Sequence, residues 1–389
     1  MKTNKKILIF LTGVLLLAGC QKKNQSDEYV IVEPLRKGDY GYLLPYESNS
    51  TSVIHNKYQS NKKDTYFMGE QALELAKSYF DPGSVYVREG NVLESNELER
   101  FDANYRGLGL LKFKTDYNPE GLNPEKGNYV PSGSGVDMYN AILVSDVYET
   151  DFVNENGEYV GFQFTIVLNE TVSYRDAKKN ADGSVATDSN GNVILEGESK
   201  SMKLSDDQLY NYGSIEAGQR LVNYLRNNHP EVGNLPIHVL LYKTTGSGSK
   251  TSGVFIGQSY VTNRSSTSYD RIRQEWVFAP SDRLSTLNSV LAGQMTTVKN
   301  ALFEHFPNEV GYYGRVFFQN DLVSKVEIEI SLIGKTYVEV QSLIQYMATQ
   351  APTISENKTE LSIHIKSDGE IMAIIHRDFG SNDVIVTLG

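Results

Sequence analysis

The sequence predicts an α+β protein, with helices packed on one face of antiparallel sheets and the chain divided into two lobes. Three observations lead there. Segments that alternate apolar and polar residues come in pairs joined by tight-turn dipeptides. Each pair follows a stretch with helical apolar spacing, and this helix–strand–strand unit recurs about four times. No residue-level similarity links the recurrences, so they echo one another in topology alone.

The first helix is expected over Gln71–Phe80, where Ala72, Leu75, Ala76 and Tyr79 share a face and Asp81-Pro82-Gly83 stops it. Strands follow over Ala141–Thr150 and Tyr159–Leu168, joined through Asn156-Gly157. In the second, Val160, Phe162, Phe164, Ile166 and Leu168 face one way and Gly161, Gln163 and Thr165 the other, as one buried sheet face requires. Gly127–Gly135 and Lys179–Lys200 are loop-like, the latter with turns at Asp182-Gly183 and Asn190-Gly191, and a lobe boundary is placed just after it. Ser205 with Gln208 forms a capping-box pattern that opens a helix carrying Leu221, Val222 and Leu225, closed by Asn227-Asn228-His229-Pro230. Strands come next at Ile237–Tyr242 and Val254–Tyr260. A third helix runs from Asp282 to Phe306 on the stripe Leu284, Leu287, Leu291, Met295, Val298 and Leu302, followed by strands Gly314–Phe318 and Lys325–Ile330. Thr336 with Glu339 caps a fourth helix bearing Val340, Leu343, Ile344 and Met347. Leu361–Lys366 and Ile371–His376 form a hairpin through Asp368-Gly369, and Asp383–Leu388 a last short strand.

At 389 residues the chain is long enough for cores that need no disulfide or metal staple. Its 25 Tyr and 15 Phe, with 22% charged residues, argue against disorder. The 37 basic side chains against 48 acidic ones exclude a general nucleic-acid binder. A single cysteine excludes intramolecular disulfides, CxxC redox chemistry and thiolate zinc sites.

Function is written at the amino terminus. Lys2, Lys5 and Lys6 precede the largely apolar run Ile7–Ala18, whose twelve residues fall short of the ~20 needed to cross a bilayer. The run reads as the apolar region of a secretory signal, and no later segment is long and apolar enough to span. It ends in Leu17-Ala18-Gly19-Cys20, which resembles the lipobox of bacterial lipoproteins in every position. Cleavage between Gly19 and Cys20, with a diacylglyceryl thioether on Cys20, would moor the chain firmly, since two acyl chains hold where one is marginal. Residues 1–19 are then a signal peptide, 20–30 a lipidated tether, 31–200 an N-terminal lobe and 201–389 a C-terminal lobe. Loss of the three leader lysines leaves 34 basic against 48 acidic side chains, so the body is expected to stand off an anionic surface on Gln21–Glu28. Lys22 and Lys23 would sit among the headgroups. The expected location is the extracellular face of the cell membrane. The expected partners are that membrane, through its anchor, and the lipoprotein-processing enzymes.

Elsewhere the residues point to structure. None of the six histidines (His55, His229, His238, His305, His364, His376) forms an HxxxH or HExxH pair, so satisfied or surface roles are expected. Across the Asp368-Gly369 turn, His364 should face Ala373 and His376 should face Leu361. No GxSxG is present, and Gly246-Ser247-Gly248-Ser249 and Ser132-Gly133-Ser134-Gly135 lack the lysine and helix of a phosphate cradle. Asp188-Ser189-Asn190-Gly191-Asn192 lacks the closing glutamate of a calcium loop. Asp206-Asp207 suits a helix first turn, and Glu327 with Glu329 an outward strand face. Tyrosine clusters at Tyr40-Gly41-Tyr42, Tyr210-Asn211-Tyr212 and Tyr312-Tyr313 suit either half-buried packing or a groove for peptides or sugars. No catalytic residue, metal or cofactor is expected.

With these residues in view, the whole chain resembles the CamS family of sex-pheromone lipoproteins of Gram-positive bacteria. The resemblance rests on the lipobox and on the order of the segments VYVREGNVLE (Val85–Glu94), YNPEGLNP (Tyr117–Pro124) and YVEVQSLIQY (Tyr337–Tyr346). It implies that the excised leader is trimmed to a short hydrophobic peptide that stimulates conjugative plasmid transfer from donor cells. That peptide would lie within Thr12, Gly13, Val14, Leu15, Leu16, Leu17, Ala18 and Gly19, and would act on a peptide receptor. A different reading stays open, in which the body is an envelope-associated binding or interaction lipoprotein with no pheromone role. An enzyme is a third and weaker reading, which a cleft with converging His, Ser and carboxylate groups would support.

Overall fold

Two sheets dominate the fold, and each has at its centre two hairpins joined through a parallel pair of strands. The computed structural model describes residues 29–389 apart from 46–48, 59–61, 190–192, 247, 264–266 and 356–358, with backbone alone at 62 and 63. In chain order the elements are β1 (Val30–Val32), β2 (Gly41–Leu44), α1 (Ser52–Tyr58), α2 (Lys62–Ala76), β3 (Tyr86–Glu89) and α3 (Ser95–Leu98). Short pairs follow, β4 (Arg100–Phe101) with β5 (Gly107–Leu108), and β6 (Asn128–Tyr129) with β7 (Met138–Tyr139). Then come β8 (Val144–Val153), β9 (Tyr159–Leu168), β10 (Thr171–Ala177), β11 (Leu195–Lys203), α4 (Asp206–Asn211) and α5 (Gly218–Asn228). The chain continues through β12 (Ile237–Lys243), β13 (Val254–Val261), β14 (Asp270–Arg271), β15 (Gln274–Ala279), α6 (Asp282–Leu287) and α7 (Ser289–His305). It ends with β16 (Val310–Gln319), β17 (Leu322–Leu332), α8 (Tyr337–Gln350), β18 (Glu360–Ser367), β19 (Glu370–Arg377) and β20 (Ile385–Leu388).

The first sheet has the order β1-β2-β3-β8-β9-β12-β13-β14 and the second β15-β16-β17-β18-β19-β20, while β6, β7, β10 and β11 form a smaller one. In the first, hairpins β8–β9 and β12–β13 meet through parallel β9 and β12. In the second, β16–β17 and β18–β19 meet through parallel β17 and β18. The recurring helix–strand–strand order thus resolves into two hairpin–helix–hairpin units, crossing over through α4–α5 and through α8. The architecture is α+β.

Burial distinguishes the sheets. Phe162, Phe164, Ile166, Val239 and Leu241 pack against Leu209, Leu221, Val222 and Leu225 of α4 and α5. The opposite face, with Val167, Leu240, Tyr242 and Phe255, is covered by Met68 and Ala72 of α2. The first sheet is therefore buried on both faces, and Gln163 and Thr165, expected to face solvent, are 1% and 3% exposed. The second sheet carries its helices on one face, where Val326, Ile328, Ile330, Leu361, Ile363 and Ile365 meet Leu291, Met295, Val298, Leu343 and Met347.

Several boundaries move for identifiable reasons. Helix α2 starts at Lys62, nine residues before Gln71. Its first turn is tied down by buried Asp64, which accepts from Tyr242 Oη at 3.0 Å and Gly253 N at 2.5 Å. Strand β8 starts at Val144, not Ala141, because the Asn123 side chain takes the N–H groups of Leu143 and Val144, both at 2.8 Å. Part of the loop-like stretch Lys179–Lys200 is strand, since β11 starts at Leu195. The helix expected over Asp282–Phe306 breaks at Asn288 (φ −151°, ψ 89°), whose side chain caps α7 by accepting from Leu291 N. A bulge between Ile365 and Lys366 slips the last hairpin, so His364 faces Ile374 and His376 faces Ser362. Tyr29 and Val30, placed in the tether, belong to the body: Val30 opens β1 and a Cβ on Gly157 would meet the Tyr29 ring. The change of sheet comes between Arg271 and Gln274 and not at residue 200, because β12 and β13 share a sheet with β8 and β9. The Asn190-Gly191 turn lies outside the described residues.

Candidate functional site

The lipobox Leu17–Cys20, the cleavage position Gly19–Cys20 and the leader peptide Thr12–Gly19 lie outside the described residues. Among the described residues, no helix is long and apolar enough to cross a membrane.

In the body, a cleft of about 930 Å³ opens where the two sheets meet. One wall is the end of β12, Thr245, Thr251–Gly253 and the start of β13; the other is Arg271–Trp276 with Arg283 of α6. Asp64 fixes the loop at Gly253, and the Lys250 carbonyl accepts hydrogen bonds from Arg315 and, at 3.5 Å, from Tyr313 Oη. The first turn of α4 brings Asp206 to Lys243 (2.6 Å) and Asp207 to Arg271 (2.7 Å), so this acidic pair does more than meet the helix dipole. Lys203 pairs with Glu170 at 3.0 Å, and Arg283 grips Glu275 with two bonds of 3.0 and 2.8 Å. The cleft is thus polar and internally neutralised. Two buried N–H donors in its lining, Gln274 Nε2 and Trp276 Nε1, have no protein partner among the described residues. No histidine lines it among the described residues.

The histidines are satisfied structurally. His238 is fully buried between Gln163 (3.0 Å) and Gln258 (3.1 Å), and burial pushes its pKa down to about 4 despite the Gln258 bond. His55 Nδ1 meets Asp146 at 2.9 Å and its ring stacks on Tyr148. For His229, burial lowers the pKa, but bonds to Glu97 (2.9 Å) and Glu231 (3.2 Å) outweigh it and raise it overall. His364 meets Ser362, His376 meets Asp378, and His305 lies edge-on to Tyr346. Among the described residues no group of three or more His, Cys, Asp or Glu could hold a metal ion. Of the clustered tyrosines, Tyr40, Tyr210 and Tyr212 donate to the backbone carbonyls of Phe80, Tyr269 and Leu122, while Tyr313 lines a smaller cleft with Lys250 and Arg315.

One polar cluster escapes the sequence. Glu149 accepts from Val92 N and Leu93 N, both at 2.8 Å, and Asp151 from Asn91 N at 3.3 Å, with Arg88 3.7 Å away. Burial, then the adjacent Glu149 charge, push the Asp151 pKa well up. The cluster wraps the loop of VYVREGNVLE around β8. In YNPEGLNP, Asn118 and Asn123 are fully buried and bonded to backbone on both sides of the amide. Both segments therefore mark the fold and not an active site. The signal available for the acid pair was its i, i+2 spacing on the strand face that also carries Val147 and Val153.

Residues 46–383 match the family described as CamS sex pheromone cAM373 precursor. The chain belongs to the CamS family. No curated protein matches it. Among solved structures, the sex pheromone precursor from Lactobacillus salivarius subsp. salivarius UCC118 superposes with a TM-score of 0.72 at 18% identity, covering 92% of this chain and 98% of that one. The C-terminal domain of the sex pheromone staph-cAM373 precursor from Staphylococcus aureus gives 0.62 at 18% identity, covering 85% and 98%. At that identity both show a shared fold. As a CamS protein, the chain is a pheromone precursor of a conjugation system, exported and membrane-associated, and not an enzyme.

Proposed function

We propose that this CamS protein is made as a lipoprotein precursor that yields two products. Cleavage between Gly19 and Cys20 releases the leader, and the Cys20 sulfur carries a diacylglyceryl thioether that moors the body on the extracellular face of the membrane. Further proteolysis trims the leader to a peptide within Thr12–Gly19 (TGVLLLAG), uncharged apart from its termini and apolar enough to enter a hydrophobic receptor pocket. The observation that carries this reading is the lipobox at Leu17–Cys20 standing immediately upstream of a body that matches the pheromone-precursor family.

Synthetic TGVLLLAG and its shorter carboxyl-terminal forms should induce clumping or plasmid transfer in donor cells at low concentration. Inactivity across a panel of donors would leave the second reading, a lipoprotein whose body binds a partner at the envelope. The ion-paired cleft of about 930 Å³, with its two unpartnered donors, supports that second reading.

A further inference from the structure

The first sheet ends at an edge hairpin, β1–β2, with one face open. Its register pairs Val30 with Leu44 and Val32 with Tyr42, which puts these four side chains on one face, while Leu43 turns the other way and is buried. Val30, Val32 and Tyr42 are 58%, 41% and 46% exposed. Tyr42 also pairs with Val87, and Val87 with Phe152, so the open face continues the surface that Ala76 and Phe80 cover further in. In the turn beyond Val32, Leu35 is fully exposed and exposed Arg36 and Lys37 follow it. The same turn holds two carboxylates, Glu33 and Asp39, the second of which pairs with Lys77 at 2.8 Å. Glu155 and Glu158 lie at the other end of β1, beside the turn on which Tyr29 packs.

Position supplies the occupant. Nine residue steps separate Cys20 from Tyr29, a reach of ~30 Å when fully extended. The hairpin is therefore the part of the body tied most closely to the acylated cysteine. An uncovered leucine beside two cations suits the boundary between phosphates and acyl chains. The acidity of the whole body does not oppose this strongly, because charges more than ~8 Å from the surface are screened at physiological salt.

We propose that the β1–β2 hairpin docks on the anionic phospholipid surface that holds Cys20, with Leu35 at the acyl boundary and Arg36 and Lys37 at the phosphates. The proposal rests on the anchoring of Cys20 put forward above, and it replaces the expectation that the body stands clear on its tether. Cys20 is the only cysteine and is blocked when acylated, so Leu35→Cys in the full-length protein accepts one environment-sensitive fluorophore. In vesicles of phosphatidylglycerol and phosphatidylcholine, the label at residue 35 should emit to the blue and be quenched by acyl-brominated lipid. A label introduced by Ser285→Cys, at an exposed position on the second unit, should report water. Adding Arg36→Glu and Lys37→Glu should abolish most of the blue shift without releasing the protein. Water-like emission at residue 35 in protein that floats with the vesicles overturns the docking and leaves the anchor standing. Protein that does not float overturns the anchor and the docking together. A blue shift already present without vesicles assigns the face to a second copy or to the chain's own amino-terminal segment, and also overturns the proposal.

Discussion

The Asp151 carboxyl is pushed well above the usual carboxylate range because it is buried, faces Glu149 and has Arg88 no closer than 3.7 Å. A carboxyl whose folded pKa lies above the unfolded one stabilises the protein at low pH, and that contribution is lost as pH rises through the folded value. Asp151→Asn keeps the shape and the donor but cannot ionise. Its melting temperature should match the wild type near pH 4 and exceed it above pH 7; parallel curves would show that Asp151 is already ionised. His238 runs the other way. Its folded pKa is depressed to about 4, so its contribution is full above about pH 6.5 and is lost as pH falls towards 4. His238→Phe should cost ~1–3 kcal/mol at neutral pH by stranding Gln163 and Gln258, and should flatten the pH dependence of stability between those values. The satisfied roles of the histidines were legible in their spacing. The acid pair was legible only as two carboxylates on the strand face of Val147 and Val153, and nothing local shows what satisfies them. Only the Gly90–Leu93 loop, remote in sequence, closes over them.

Elements were legible wherever side chains act on their own backbone. Both capping boxes read from sequence are present: Ser205 accepts from Gln208 N and Thr336 from Glu339 N, each with the reciprocal bond. The Asp368-Gly369 turn closes β18 and β19 with both residues at positive φ, 51° and 92°. Thr336→Ala should remove ~1 kcal/mol, seen as a lower denaturant midpoint at unchanged slope; no shift would mean that α8 is held by packing alone. Elements were illegible where a distant group intervened. The Leu284–Leu302 stripe runs across the Asn288 break without a gap in periodicity, so spacing could not reveal it. The delayed start of β8 depends on Asn123, and the early start of α2 on Tyr242 and Gly253, none of which is a neighbour in sequence.

At the scale of the molecule, a small aromatic contact joins the two hairpin–helix–hairpin units, beside the bonds of Arg315 and Tyr313 to the Lys250 carbonyl. Phe67 of α2 lies 5.3 Å from Trp276 and 5.1 Å from Phe317, centroid to centroid, across the gap between the sheets. Trp276 is the only tryptophan, so its fluorescence reports this junction. Phe67→Ala should cost ~3–5 kcal/mol and shift that emission to the red; an unchanged spectrum would show that the units meet elsewhere. The family match starts at residue 46, downstream of the lipobox at Leu17–Cys20. The body's α+β class could be read from its repeated units, whereas its two-sided first sheet could not, since α2 approaches from far away in sequence. If one covalent event at Cys20 divides a signalling peptide from an anchored body, mass spectrometry of the amino-terminal fragment of protein extracted from native membranes should find a chain that begins at Cys20 and carries a diacylglyceryl group on sulfur; a retained leader, or a free thiol at Cys20, would contradict it.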